Sequence, residues 1–113
     1  MEKLDAITAL SALAQESRLD IYRLLVQSGQ DGLPAGHIGD RLGLPSATLS
    51  FHLNQLRQAG LITFRREGRS LIYAAEYTTM NNLLGYLTKN CCDGDPSACG
   101  LVVCEPDALS QRS

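Results

Sequence analysis

Four thiols stand close together near the end of the 113-residue chain, at Cys91, Cys92, Cys99 and Cys104, and no other cysteine precedes them. Clustered thiols in a reducing compartment hold soft metals or change oxidation state rather than form structural disulfides. Metal binding and redox chemistry both remain open on these residues alone. The arginines form a second set. Net charge is −2, but residues 41–75 carry Arg41, Arg57, Arg65, Arg66 and Arg69 against Glu67 alone, while the segments on either side are acidic. A compact positive stretch in an acidic chain is what a phosphate-facing surface requires, the alternative being a merely solvated arginine face. No grouping of nucleophile, base and orienter appears, nor a phosphate loop or an HExxH run, so the reading is of a non-enzyme without catalytic cofactor.

These groups must be positioned by one small domain, since the chain is 44% hydrophobic and only 5% aromatic. Residues 1–90 are read as that domain. Residues 91–113 are read as a cysteine-containing tail whose end is expected to be disordered. Met1-Glu2-Lys3-Leu4-Asp5 lacks the features of a leader and no apolar run approaches a membrane span, so a cytoplasmic protein with no membrane partner is expected.

Leu4, Ile7, Leu10 and Leu13 recur every three residues, with alanines beside them, and predict a helix over 3–14 with a broad apolar face. A second helix carries Leu19, Ile21, Tyr22, Leu24, Leu25 and Val26 and stops at the glycine-rich Ser28–Gly32 turn. Pro34 opens a short third helix reaching Leu42, with Ile38 and Leu42 inward, and Gly43-Leu44-Pro45 makes a tight turn. The fourth helix is expected to be capped by Ser46 and to bury Leu49, Leu53 and Leu56, at i, i+4 and i+7. Strand-like runs at 61–66 and 70–75 flank Glu67-Gly68-Arg69, a hairpin turn. Thr78 or Thr79 opens a last helix with Met80, Leu83, Leu84 and Leu87 on one face, stopping near Asn90.

At 100° per residue, the stripe of the fourth helix leaves Ala47, Ser50, Phe51, Asn54, Arg57 and Gln58 outward. Short polar side chains at the N-terminal end, Ser46 and Thr48 among them, let a helix approach base edges in a major groove, and an apolar group can meet the thymine methyl. Phe51 suits that last contact, with packing against a neighbouring helix as the plainer alternative. Arg65, Arg66 and Arg69, placed at the hairpin tip, reach for the flanking phosphates. His52 borders the inward stripe and reads as a structural histidine or a phosphate contact rather than a ligand; His37 stands alone.

Ser17-Arg18-Leu19-Asp20-Ile21, then Ser46-Ala47-Thr48-Leu49-Ser50-Phe51-His52-Leu53 with Leu56 and Ala59-Gly60-Leu61, then Arg66-Glu67-Gly68-Arg69 with Tyr73, together resemble the ArsR/SmtB family of winged helix-turn-helix repressors. The resemblance spans roughly residues 4–90. It implies a mainly α fold with a β-hairpin wing at 61–75, a DNA-reading helix at 46–59, and a homodimer built from the first and last helices. It also implies a cytoplasmic repressor of a palindromic promoter, with half-site centres about one helical turn (~34 Å) apart.

Most metal sites of the family have no counterpart here. Where early-described arsenic sensors place paired cysteines, this chain has Pro34-Ala35-Gly36-His37; residues 76–90 offer Glu76 without a histidine; and the N-terminal region has no cysteine. Asn90-Cys91-Cys92 with Cys99 resembles the C-terminal three-thiol site of a trivalent-arsenic subgroup, and Cys104 has no obvious counterpart. The chemistry agrees, because As(III) carries a lone pair and takes three soft thiolates in a pyramid. The resemblance therefore implies As(III), or Sb(III) or methylarsenite, as inducer. Structural zinc on four cysteines is the rival, although an adjacent pair followed by wider gaps departs from C-x₂₋₄-C spacing. Zinc or cadmium sensing, a thiol redox switch, and a protein-binding winged-helix module with a zinc staple are the other readings.

Overall fold

The computed structural model describes residues 1–89. They form α1 (Lys3–Leu13), α2 (Glu16–Ser28), a short 3-10 turn (Gly29–Asp31), β1 (Leu33–Pro34), α3 (Ala35–Leu42), α4 (Ser46–Gln58), β2 (Ile62–Glu67), β3 (Ser70–Ala75) and α5 (Tyr77–Leu87). The strands make one antiparallel sheet in the order β1-β3-β2. This is a mainly helical domain with a small three-stranded sheet whose hairpin, β2–β3, is the wing.

Ile21, Leu25, Ile38, Leu56 and Leu61 are fully buried at its centre, each worth about 1.5–3 kcal/mol relative to exposure. They come from α2, α3, α4 and the entry to the wing, so one core fixes the positions of α4 and of the hairpin together. Gln15 caps α2 through its side chain, which accepts from the Arg18 amide at 3.0 Å.

α1 splits its broad apolar face in two. Ala6, Ala9 and Ala12 are the buried residues, while the Leu4, Ile7 and Leu10 stripe beside them is not. Leu4 is 75% exposed, Ile7 49% and Leu10 41%. Leucine and alanine share the same period on this helix, and small side chains let it lie close against the domain. The larger stripe is left facing out.

β1 was not foreseen, since two residues carry no periodic signal. It pairs Leu33 with Tyr73 and Pro34 with Ile72. Gly32 permits this approach: its φ is +72°, and a Cβ there would collide with the Tyr73 carbonyl. Pro34 consequently precedes α3 as its N-cap rather than lying inside the first turn. Gly43, at φ +68°, ends α3 in the left-handed conformation and lets α4 begin three residues later. Leu42, expected inward, is half-buried.

α5 begins at Tyr77 and ends at Leu87, slightly earlier than expected at both ends. The Glu76 side chain accepts from the Thr78 amide at 3.3 Å, which sets the start. Of its expected apolar face only Leu83 is buried; Met80 and Leu84 are half-buried and Leu87 is 54% exposed.

Candidate nucleic-acid interface

α3, the turn at 43–45 and α4 are a helix-turn-helix. Leu49, Leu53 and Leu56 anchor α4 inward at 4%, 3% and 0% exposure, as their spacing requires. Ser46, Ala47, Thr48, Ser50, Phe51, Asn54 and Arg57 are all exposed. Ser46 does not cap the helix. Pro45 is the N-cap, in an extended conformation with φ −61° and ψ 153°, and no side chain bonds to the first-turn amides. Proline's fixed φ suits this position, and Ser46 becomes the first helical residue. The uncapped N-terminus leaves backbone donors and the positive end of the helix dipole facing outward.

Phe51 is 57% exposed and touches the His52 ring edge-on, with centroids 5.5 Å apart. Asn54 and Arg57 are paired: an Arg57 Nη donates to Asn54 Oδ1 at 2.9 Å. The Arg57 guanidinium also lies 5.6 Å over the Phe64 ring, a cation–π contact that braces the C-terminal end of α4 against β2. Phe64 is 43% exposed, and the strand run at 61–66 by itself marks it only as a strand residue. Its signal was available, because a residue two places beyond Ile62 on the same strand face extends past the core.

The wing separates two arginines that sequence reading had grouped. Successive strand residues face opposite ways, so Arg66 shares a face with Phe64, while Arg65 shares the other with Thr63 and Glu67. Arg65 bonds to Glu67 Oε2 at 2.7 Å and to the Asp31 and Gln30 carbonyls at 2.8 and 3.4 Å. It latches the wing to the turn after α2 and stands apart from the outward group. Arg66 and Arg69 are exposed and have no ion-pair partner among the described residues. Gly68, at φ +62°, turns the hairpin between them.

His52 is buried at 8% exposure, which supports the structural reading. Its Nδ1 lies 3.1 Å from an Arg18 Nη, and Arg18 Nε donates to the Ala12 carbonyl at 2.7 Å. Burial first, and the neighbouring Arg18 charge second, hold its pKa below the usual 6.5. Nothing in the sequence brings residues 18 and 52 together; only the fold makes Arg18 a partner of His52.

Cys91, Cys92, Cys99 and Cys104 lie outside the described residues, as does the expected end of the last helix at Asn90. Among the described residues no group of three or more His, Cys, Asp and Glu is placed to hold a metal ion, and no helix is long and apolar enough to cross a membrane.

A helix-turn-helix with an exposed small-residue face, flanked by an arginine-bearing hairpin, defines the winged helix-turn-helix class of regulators. Residues 13–64 match a family described as a helix-turn-helix domain. The chain is 38% identical over 77 residues to the uncharacterized HTH-type transcriptional regulator YceK of Bacillus subtilis, covering 67% of this chain and 76% of YceK. It is 31% identical over 90 residues to the transcriptional activator HlyU of Vibrio cholerae, covering 80% of this chain and 81% of HlyU. The HlyU structure superimposes with TM-score 0.64 over 81% of this chain and 99% of HlyU, and a form described as reduced does so with TM-score 0.60 over 79% and 90%. The solution structure of Mb0332 from Mycobacterium bovis, described as a homodimeric winged helix-turn-helix domain and possible ArsR-family regulator, is 25% identical. It covers 82% of this chain and 87% of that one, with TM-score 0.62. The chain belongs to the ArsR/SmtB family of transcriptional regulators.

Proposed function

We propose that this protein is a dimeric transcriptional repressor that sits on a palindromic promoter and leaves it when As(III) binds Cys91, Cys92 and Cys99. The observation that carries the DNA-binding part is the outer face of α4, where Ala47, Ser50, Phe51 and Asn54 are exposed beside Arg57, Arg66 and Arg69. Small side chains at the N-terminal end admit close approach to base edges, and the uncapped amides and wing arginines meet the flanking phosphates. Dimerisation is supported by the exposed Leu4, Ile7 and Leu10 of α1 and Leu87 of α5, and by the homodimer described for Mb0332. Repression follows from occupancy of the promoter. HlyU is named an activator, so within this family the sign depends on where the site lies.

Support for As(III) comes from the donor set, three soft thiols and no competing histidine on the last helix. Thiols must lose protons to bind, so the response weakens in acid. A coupling of about 1–3 kcal/mol per site suffices for a ~5- to 150-fold loss of affinity. A redox switch is the second reading, favoured by the HlyU form described as reduced and by the ready oxidation of adjacent thiols.

The test is anisotropy of a labelled duplex from upstream of the protein's own gene, with the reduced full chain. Addition of arsenite should release the protein, and serine at Cys91 or Cys92 should abolish release. Release by peroxide but not by arsenite would favour the redox reading, and retention in both would refute an effector role for these thiols.

A further inference from the structure

We propose that Arg18 and His52 are a positioning pair that ties the reading helix to the C-terminal end of α1, and that specific DNA binding requires this tie with the His52 ring neutral. The proposal rests on the DNA-binding reading given above. Arg18 spans three helices: it belongs to α2, its Nε donates to the Ala12 carbonyl of α1 at 2.7 Å, and its Nη meets His52 Nδ1 of α4 at 3.1 Å. A guanidinium only donates, so Nδ1 must accept, and the ring must be neutral with its proton on Nε2. Protonation replaces the acceptor with a second N–H and sets two cations face to face.

The seam between α1 and α4 gives the tie its importance. Beside Arg18 runs a crevice of about 290 Å³ between the two helices, lined by Thr8, Ser11, Gln55 and Gln58 together with Ile7, Ala12 and Ala59. The bridge through Arg18 spans this seam with directed hydrogen bonds. On the far side of His52 lies Phe51, in edge contact at 5.5 Å and exposed on the reading face. A continuous path thus runs from α1, whose outer face carries the exposed leucines, through the Ala12 carbonyl, Arg18 and His52 to a residue placed to meet DNA.

Other elements packed against α4 also carry ionisable groups. α1 has Lys3 and Asp5, α2 adds Glu16, Asp20, Tyr22 and Arg23, α3 has His37, Asp40 and Arg41, and β2 has Arg65, Arg66 and Glu67. Burial first, and the Arg18 charge second, favour the neutral ring. The tie is therefore intact at neutral pH and is lost as pH falls through the depressed value, below 6.5. The sign is diagnostic. Protonating a histidine in a DNA-binding protein ordinarily raises affinity by adding positive charge; loss of this acceptor lowers it.

The experiment is anisotropy with the reduced full chain and its upstream duplex, at fixed ionic strength and without arsenite, from about pH 8 to about pH 5.5. The wild type should weaken progressively on acidification, by up to about tenfold per protomer at the low end of this range. His52→Gln, whose amide oxygen accepts from Arg18 without titrating, should give a flat profile with affinity at neutral pH restored to within about threefold of wild type. Arg18→Leu should weaken binding at neutral pH and leave the salt dependence unchanged, because no phosphate contact is removed. His37→Gln should keep the decline. A flat or rising wild-type profile, or a His52→Gln profile that still declines, overturns the proposal. If Arg18→Leu melts early by circular dichroism, the His52→Gln profile decides alone. Failure of the wild type to prefer its duplex over a scrambled one at neutral pH overturns the DNA-binding reading and this proposal together, whereas specific binding without pH dependence overturns only the pair.

Discussion

The outer faces of α1 and α4 are both open to solvent, yet α1 presents Leu4, Ile7 and Leu10 while α4 presents Ala47, Ser50, Asn54 and Arg57. Exposure alone does not say what a face is for; the chemistry it exposes does. Covering large aliphatic groups stabilises by about 1.5–3 kcal/mol each, so the α1 face calls for an apolar partner, which in the proposed dimer is the same face of a second copy. The α4 face offers little apolar area beyond Phe51. It offers short hydrogen-bonding groups and a guanidinium, which suit base edges and phosphates.

The two faces should respond separately to mutation. Ile7→Glu places a charge in the centre of the apolar face, and sedimentation should show a monomer. Operator affinity should then fall by about 10²-fold or more, because two linked half-site contacts become one. Ile7 is already half exposed, so the melting temperature of the monomeric domain should change little. Arg57→Ala should leave the oligomer intact and cost about 1–3 kcal/mol in operator binding, since both the Asn54 bond and the brace on Phe64 are lost.

The smallest effects should split the neighbouring arginines of the wing. Arg66→Ala should weaken binding uniformly across sequences and reduce the salt slope by about one. Arg65→Ala should leave that slope alone and instead lower stability to urea by about 0.5–1.5 kcal/mol, through the lost carbonyl bonds. Its ion pair with Glu67 is exposed and adds little. Equal salt slopes for the two variants would erase the distinction between the faces of β2.

α4 was legible in sequence because Leu49, Leu53 and Leu56 leave no other way to turn the helix, and the same arithmetic put Ala47, Ser50, Phe51, Asn54 and Arg57 outside. The wing was legible from Gly68 and the strand runs beside it. The different contacts of Arg65 and Arg66 were not legible, because charge counted along the chain does not register the two-residue alternation of a strand. On α1 the broad apolar face was legible, but alanine and leucine stripes recur alike, and only packing shows that the smaller one faces inward. Ser46 was displaced as cap by a proline whose backbone alone suits the position. The Arg18 bridge joins residues 34 apart, a separation no local pattern can report.

The central claim is that two copies of α4 read DNA at once. Hydroxyl-radical and methylation footprinting of the upstream duplex, bound by the reduced full-length protein, tests it most directly. The account predicts two major-groove patches protected on one face of the duplex, with centres about one helical turn apart, and both lost together in Ile7→Glu. One protected patch in the wild type, or protection unchanged in Ile7→Glu, would contradict it.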